Sequence, residues 1–340
     1  MADPDVFVIG GGPAGLAVAI AARRKGWNVV VADGNRPPID KACGEGLMPD
    51  SRRAAARIGI QLPDSLGFEF RGVRFHGAGR FIEADFPGRA RGIGVRRVRL
   101  HEALVETAAQ AGVELRWGVP IASLEDVRAR WIIGADGAGS RVRRWAGLDA
   151  RARNSHRFSY RRHYSIAPWT DYMEIHWGEG CQIYVTPVGP QEVCLALISR
   201  TQDLRLDDAL RRFFPALDER LAGSEIASRE RGAITATMRL RSVTRGNVAL
   251  VGDASGSVDA ISGDGLCLSF KQAGLLTDAM ARGDLARYCR LHPRLATKPN
   301  FMTKTMLVLD RGPKVRRWAF GALSAQPWIF EKLLAVHVAG

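Results

Sequence analysis

The segment Val6-Phe7-Val8-Ile9-Gly10-Gly11-Gly12-Pro13-Ala14-Gly15 decides the fold of this 340-residue chain. Asp5 to Ile9 reads as a short buried strand, and Gly10 to Gly15 as a tight turn. Leu16 to Lys25 is apolar and alanine-rich, the pattern of a packed helix. Trp27 to Ala32 is a second strand that ends on Asp33. Strand, turn, helix and strand make one βαβ unit. Gly10 permits the turn, Gly12 lets the backbone approach a pyrophosphate, and Gly15 lets helix and strand pack closely. Pro13 and Ala14 open the helix, whose N-terminal N–H groups and positive dipole end suit phosphates. Asp33, followed by Gly34, stands where a carboxylate accepts hydrogen bonds from ribose hydroxyls. By itself this segment allows NAD or FAD.

Two further motifs lie downstream. Gly252-Asp253-Ala254 follows the apolar strand Val248–Val251, and an Asp at the carboxyl end of a buried strand points into the ligand crevice of an open α/β sheet. Gly263-Asp264-Gly265-Leu266 then opens a long helix that runs to Met280. Gly134-Ala135-Asp136-Gly137-Ala138-Gly139-Ser140 follows another apolar strand, Arg130–Ile133. Each alone is also a turn or a helix cap, the commoner use of Asp and Gly.

Together these residues resemble the flavoprotein monooxygenase family typified by p-hydroxybenzoate hydroxylase, with its relatives the geranylgeranyl reductases and flavin-dependent halogenases. The resemblance covers roughly residues 5–285. It implies that Gly10, Gly12, Gly15 and Asp33 hold ADP, that Asp253 binds the ribityl chain, and that Gly263 to Leu266 lie beside the flavin ring. It matches Asp136-Gly137 to the family's DG motif and Arg97, with Leu100, to its Arg-x-x-Leu segment. Lys41-Ala42-Cys43-Gly44-Glu45-Gly46 is similar to the flavin-side loop of the reductase-like members. Asp33 departs from the more usual Glu, and Ala260 stands where many members have a proline. No second GxGxxG unit exists, so FAD rather than a pair of dinucleotides is expected, with NAD(P)H docking transiently as reductant. Arg141, Arg161 and Arg162 are candidates to receive its phosphates, or are simply solvated.

The expected fold is mixed α/β: a Rossmann-like FAD-binding lobe interleaved with an antiparallel-sheet substrate lobe and followed by a helical C-terminus. The FAD lobe takes residues 1–67, 87–150 and 236–290, the sheet lobe 68–86 and 151–235, and the helical segment 291–340. The spacing predicts a hairpin over 68–86 and four strands over His156–Ile166, Tyr172–His176, Gln182–Thr186 and Glu192–Ile198. Alternation puts Gln182, Tyr184 and Thr186 on one face, with Ile183 and Val185 on the other. Tyr184 is a candidate for the substrate pocket, or an aromatic packed in a sheet. Glu174 and His176 share a face and read either as an acid–base pair or as solvent-facing polar residues. Cys43 is a proton donor or a small packed hydrophobe.

Composition bounds the rest. The net charge of +14 comes almost wholly from arginine, scattered along the chain. That admits anionic partners, but no basic strand interleaved with aromatics supports nucleic-acid binding. Five cysteines without paired spacing predict neither a disulfide framework nor a metal site, and favour a reducing cytoplasm. Asp3 and Asp5 stand where a secretion signal needs positive charge. No apolar run reaches the roughly 18 residues of a membrane span. Near the C-terminus, Lys298, Lys304, Arg311, Lys314, Arg316 and Arg317 mix with Trp318, Phe320, Trp328 and Phe330. This segment reads as a cap over the substrate site or as a peripheral membrane contact. Either suits a small lipophilic substrate.

The expected activity is that of an FAD-dependent oxidoreductase. The first reading is an NAD(P)H-dependent monooxygenase that hydroxylates or epoxidises an aromatic or polyketide-like substrate. The alternative, suggested by Lys41–Gly46, is a reductase that saturates C=C bonds of a prenyl chain. Trp169-Thr170-Asp171 lacks the halogenase Trp-x-Trp-x-Ile-Pro signature, which disfavours halogenation.

Overall fold

The computed structural model describes residues 3–148, 152–310 and 312–339. Arg311 and the lobe boundary at 150/151 lie outside these residues. The first strand, Val6–Ile9, sits in the middle of a six-stranded sheet. It pairs in parallel with Val29–Asp33 on one side and Trp131–Gly134 on the other. Val248–Leu250 and Glu114–Trp117 extend the sheet outward, and Thr244–Arg245 closes one edge as an antiparallel strand. The helix Pro13–Arg23 follows the glycine turn and buries Leu16 to Ala22 against this sheet and the long helix Gly265–Ala281. Small residues make that approach possible. A Cβ on Gly15 would meet the Gly10 carbonyl oxygen at 1.9 Å, and one on Gly252 would meet the Ala14 methyl at 2.7 Å.

The second sheet has eight strands. Its centre is an antiparallel run of Ala152–Ser165, Glu192–Ser199, Cys181–Gly189 and Tyr172–Trp177. The expected hairpin and one strand not visible in the sequence pattern extend it. The hairpin Gly72–Gly77 and Arg80–Asp85 joins Tyr172–Trp177 in parallel. Arg231–Arg239 pairs along Ala152–Ser165, so the expected boundary at 235/236 falls inside a strand. A small third sheet of Gly46–Leu47, Gly92–Gly94 and Phe68–Phe70 stitches the two lobes together. Its strands are too short and too rich in glycine to show a period.

Both faces of the large sheet are covered. Helices Leu206–Phe213 and Pro215–Leu221 lay Leu206, Leu210, Phe214 and Leu217 on Ile183, Val185, Leu195 and Leu197. On the other face, Met306, Leu309, Phe320, Phe330, Leu334 and Val338 from the C-terminal helices meet Phe75, Ile175, Trp177 and Tyr184. The removal of this apolar surface from water holds the cap in place. Among the described residues no helix is long and apolar enough to cross a membrane.

Candidate functional site

The ends of the parallel strands converge on one crevice. The Asp33 carboxylate accepts the Gly11 N–H at 2.8 Å and the Asn35 N–H at 2.8 Å, which fixes it beside the glycine turn. Gly34 follows it against Pro120. From the helix Arg97–Gln110, His101 donates Nε2–H to the Gly11 carbonyl at 2.8 Å. Burial pushes its imidazolium below the usual range, and the ring is neutral with its hydrogen on Nε2, since Nδ1 accepts the Ile39 N–H at 3.4 Å. Opposite the turn, Asp253 pairs with Lys41 at 2.8 Å, an exposed contact worth little by itself. The Gly252 N–H donates to Gln272 Oε1 at 2.7 Å, and Gln272 continues through His292 to Ser255 at 3.1 and 3.0 Å.

Asp136 serves the turn more than the crevice. Its carboxylate accepts from Ser140 Oγ at 2.5 Å and from the N–H groups of Arg141 and Val142 at 2.6 and 3.1 Å. Arg143, which sequence reading missed, ties this turn to the next by donating to the carbonyls of Ala138 and Ala254 at 2.8 and 3.1 Å.

Two loops that the family resemblance assigns to the flavin ring lie against the same sheet, Gly44 through Thr186 and Ile261, just before Gly263, through Tyr184. Ala42, Cys43 and Gly44 are half-buried in one, while Gly263, Asp264, Gly265 and Leu266 form the other at the start of the long helix. Gly263 takes the left-handed conformation at φ 71°. Asp264 is buried beside His337, and burial pushes its carboxyl up. Arg97 is buried near Cys43, Asp253 and Glu45. Burial also pushes the Cys43 thiol up, so it keeps its proton at neutral pH. Added Cβ atoms on Gly12, Gly44, Gly263 and Gly265 would meet no atom within 4 Å. An extended open cradle with a helix N-terminus at one end and half-buried loops at the other fits FAD.

The sheet addresses these loops with one face. Thr186 donates to the Gly44 carbonyl at 2.7 Å, Tyr184 to the Ile261 carbonyl at 2.5 Å, and Gln182 to Asp310 at 2.7 Å. The three share a face, as alternation predicts, but the Tyr184 hydroxyl is committed to the loop. Glu174 and His176 are different. They lie directly across from Val185 and Ile183, and cross-strand partners point the same way. Both therefore sit on the face opposite Tyr184, under the helices Leu206–Phe213 and Pro215–Leu221. Glu174 accepts from Trp169, His76 and Arg74 at 2.9, 2.9 and 3.3 Å, with His176 at 3.3 Å. It is neither solvent-facing nor beside the cradle.

Arg161 and Arg162 are not solvated either. Arg161 is bonded to Asp40, and Arg162 to Asp207 and Glu230 at 2.6 and 2.9 Å. Arg141 remains exposed and stacks on Trp145. Two clusters, Glu45–His163–Cys194 and His76–Glu174–His176, bring their ligand-type atoms within 4.8 Å. A guanidinium on each carboxylate, from Arg161 and Arg74, favours hydrogen-bonded clusters over cation sites.

Residues 5–57 match the family model described as an FAD binding domain. The chain is 27% identical over 325 residues to a menaquinone reductase of Mycolicibacterium smegmatis, covering 86% of this chain and 80% of that protein. It is 27% identical to a digeranylgeranylglycerophospholipid reductase of Methanothrix thermoacetophila, covering 82% of this chain and 79% of that one. Among solved structures, a flavin-dependent brominase superposes with a TM-score of 0.84 at 17% identity, covering 99% of this chain and 94% of the other. A geranylgeranyl bacteriochlorophyll reductase-like protein of Thermoplasma acidophilum superposes at 0.71 with 22% identity, covering 99% and 92%. The cradle, the matching FAD model and these relatives agree: the chain is an FAD-dependent oxidoreductase, similar over most of its length to reductases of menaquinone and of a digeranylgeranylglycerophospholipid.

Proposed function

We propose that this oxidoreductase is a reductase that saturates C=C bonds in the prenyl chain of a lipophilic substrate, with NAD(P)H as the transient reductant. The observation that carries this reading is that the relatives aligned over most of the chain are named as reductases, of menaquinone and of a digeranylgeranyl phospholipid. The loop Lys41–Gly46, similar to that of reductase-like flavoproteins, supports it. This reverses the order of the two readings drawn from sequence, in which monooxygenation stood first. Halogenation gains no support: Trp169 is bonded to Glu174 on the far face of the sheet.

Bound FAD supplies hydride chemistry. The chain supplies its shape and the groups around it. Gly10 to Gly15 and the helix start take the pyrophosphate, Asp33 the adenosine ribose and Asp253 the ribityl chain. Thr186 and Tyr184 fix the two ring-side loops from the sheet. In the same loop Cys43 presents a thiol that burial holds in its protonated form. The C-terminal helices cover the sheet face that carries Tyr184 and so exclude water from the junction.

Anaerobic turnover tests the reading. With NAD(P)H, product that gains two hydrogens and no oxygen is expected to form at an undiminished rate without O₂. A strict O₂ requirement and an oxygenated product would overturn it in favour of monooxygenation. We also propose peripheral membrane contact through the C-terminal helices, which expose Trp318 and Trp328 beside basic residues. Co-sedimentation with anionic vesicles is expected to fall when both tryptophans become serine. Equal pelleting of the variant would remove this proposal.

A further inference from the structure

Glu45 is an unexpected residue at its position. It lies between Gly44 and Gly46 with φ 60°, in the left-handed region where glycine is comfortable and a long side chain is not. It is also 2% exposed, so a carboxylate is buried at a strained backbone. Such cost persists when the surroundings over-determine it, and an observed outlier is a reason to look for a role.

The surroundings are specific. Glu45 Oε1 accepts the Arg97 N–H at the start of the helix Arg97–Gln110, at 2.9 Å. Its Oε2 meets His163 Nε2 at 2.6 Å. The Glu45 N–H lies 3.4 Å from the Cys43 sulfur, and its carbonyl accepts the Val95 N–H at 2.9 Å. His163 is held in turn. Its Nδ1 lies 2.7 Å from Ser228 Oγ and 3.3 Å from Arg161 Nη1. A guanidinium only donates, so Nδ1 is the acceptor and Nε2 carries the hydrogen toward Glu45. Arg161 also reaches Asp40, just before the ring-side loop, and Asp40 takes a second contact from Arg231 at 3.3 Å. His163, Cys194 and Thr186 stand directly opposite one another on three adjacent strands, and all address the segment Cys43–Glu45.

Glu45 is therefore the one side chain among these that bonds the ring-side loop, the Arg97 helix start and the sheet together. We propose that Glu45 is a positioning residue, through which His163 of the substrate sheet locks the ring-side loop and the Arg97 helix start into the shape that holds FAD. The glycine and aspartate motifs bind the nucleotide end. This pair sets the ring end from the other lobe. The inference concerns how the cofactor is held, so it stands apart from whether the reaction is reduction or oxygenation.

Glu45→Gly, His163→Gln and His163→Ala decide the matter, with FAD affinity from flavin fluorescence and the visible circular dichroism of bound flavin as readouts. Glycine relieves the left-handed backbone while deleting the carboxylate. Glutamine keeps a donor where His163 Nε2 stands. We expect Glu45→Gly to bind FAD at least about tenfold more weakly, the scale of one charged hydrogen bond, and to change the flavin dichroism. We expect His163→Gln to stay within about threefold of the parent, on the same scale, with parent dichroism. A Glu45→Gly protein with parent affinity and dichroism overturns the proposal. So does a His163→Ala protein, in which the bond to Glu45 is deleted, if it keeps parent affinity and dichroism. Turnover is not needed for either reading.

Discussion

Glu45 and Glu174 are each 2% exposed and each bonded to histidine, yet they lie on opposite faces of one sheet. Glu45 reaches the sheet from outside, across the junction of the lobes, and its partner His163 points toward the cradle. Glu174 belongs to the sheet itself. Its partners His76 and Arg74 come from the neighbouring strand, and Trp169 from the preceding loop. The two imidazoles of this far cluster, His76 and His176, stack with ring centroids 4.2 Å apart. The chemistry is the same and the placement is not. In the role we propose, Glu45 acts on FAD because it touches the loop and the helix start assigned to the cofactor. The far cluster touches strands, the loop that carries Trp169 and the cover helices, so its effect belongs to stability.

The largest test of this contrast is Glu174→Leu. Removing one partner from a buried charged cluster leaves His76 and the Trp169 N–H without their carboxylate acceptor, and Arg74 with Glu83 alone, which costs about 3–5 kcal/mol. Thermal unfolding is expected to show that loss. The fraction that remains folded is expected to bind FAD with parent affinity, unlike Glu45→Gly. Weakened FAD binding in folded Glu174→Leu would erase the distinction between the faces.

The same contrast explains what sequence could reach. The glycine turn, Asp33 and Asp253 were legible because a local backbone shape leaves a local residue pattern. The period-2 alternation of Gln182 to Thr186 gave the shared face. It also put Glu174 and His176 together, but not the side of the sheet on which they lie, because both faces are buried here and polarity no longer marks one. Glu45 and His163 are 118 residues apart, and Arg161 and Asp40 are 121 apart. Such contacts leave no spacing signal. One local clue existed: a glutamate between two glycines in the ring-side loop. His101, Gln272 and Arg143 gave none, since a buried histidine, glutamine or arginine on a helix reads as ordinary polarity.

Acid gives the last and smaller test. Burial alone would raise the Glu174 carboxyl, but hydrogen bonds from His176 and His76 outweigh it and hold the group well below the usual range. Burial pushes the His176 imidazolium down, helped by the neighbouring charge of His76 and Arg220 and opposed by Glu174. For both groups the unfolded chain takes up protons at a higher pH than the folded one. The stability they contribute is complete above the ordinary histidine value of about 6.5 and is lost as pH falls, first through His176 and then, below about 4.3, through Glu174. Unfolding measured between neutral pH and pH 5 isolates the histidine part. His176→Phe keeps an aromatic ring on the sheet face and deletes the titration, so its stability is expected to fall less steeply over that interval than the parent's. An equal slope in both proteins would mean that the imidazole contributes nothing to acid sensitivity, and that the far cluster is held by the carboxylate and its other donors alone.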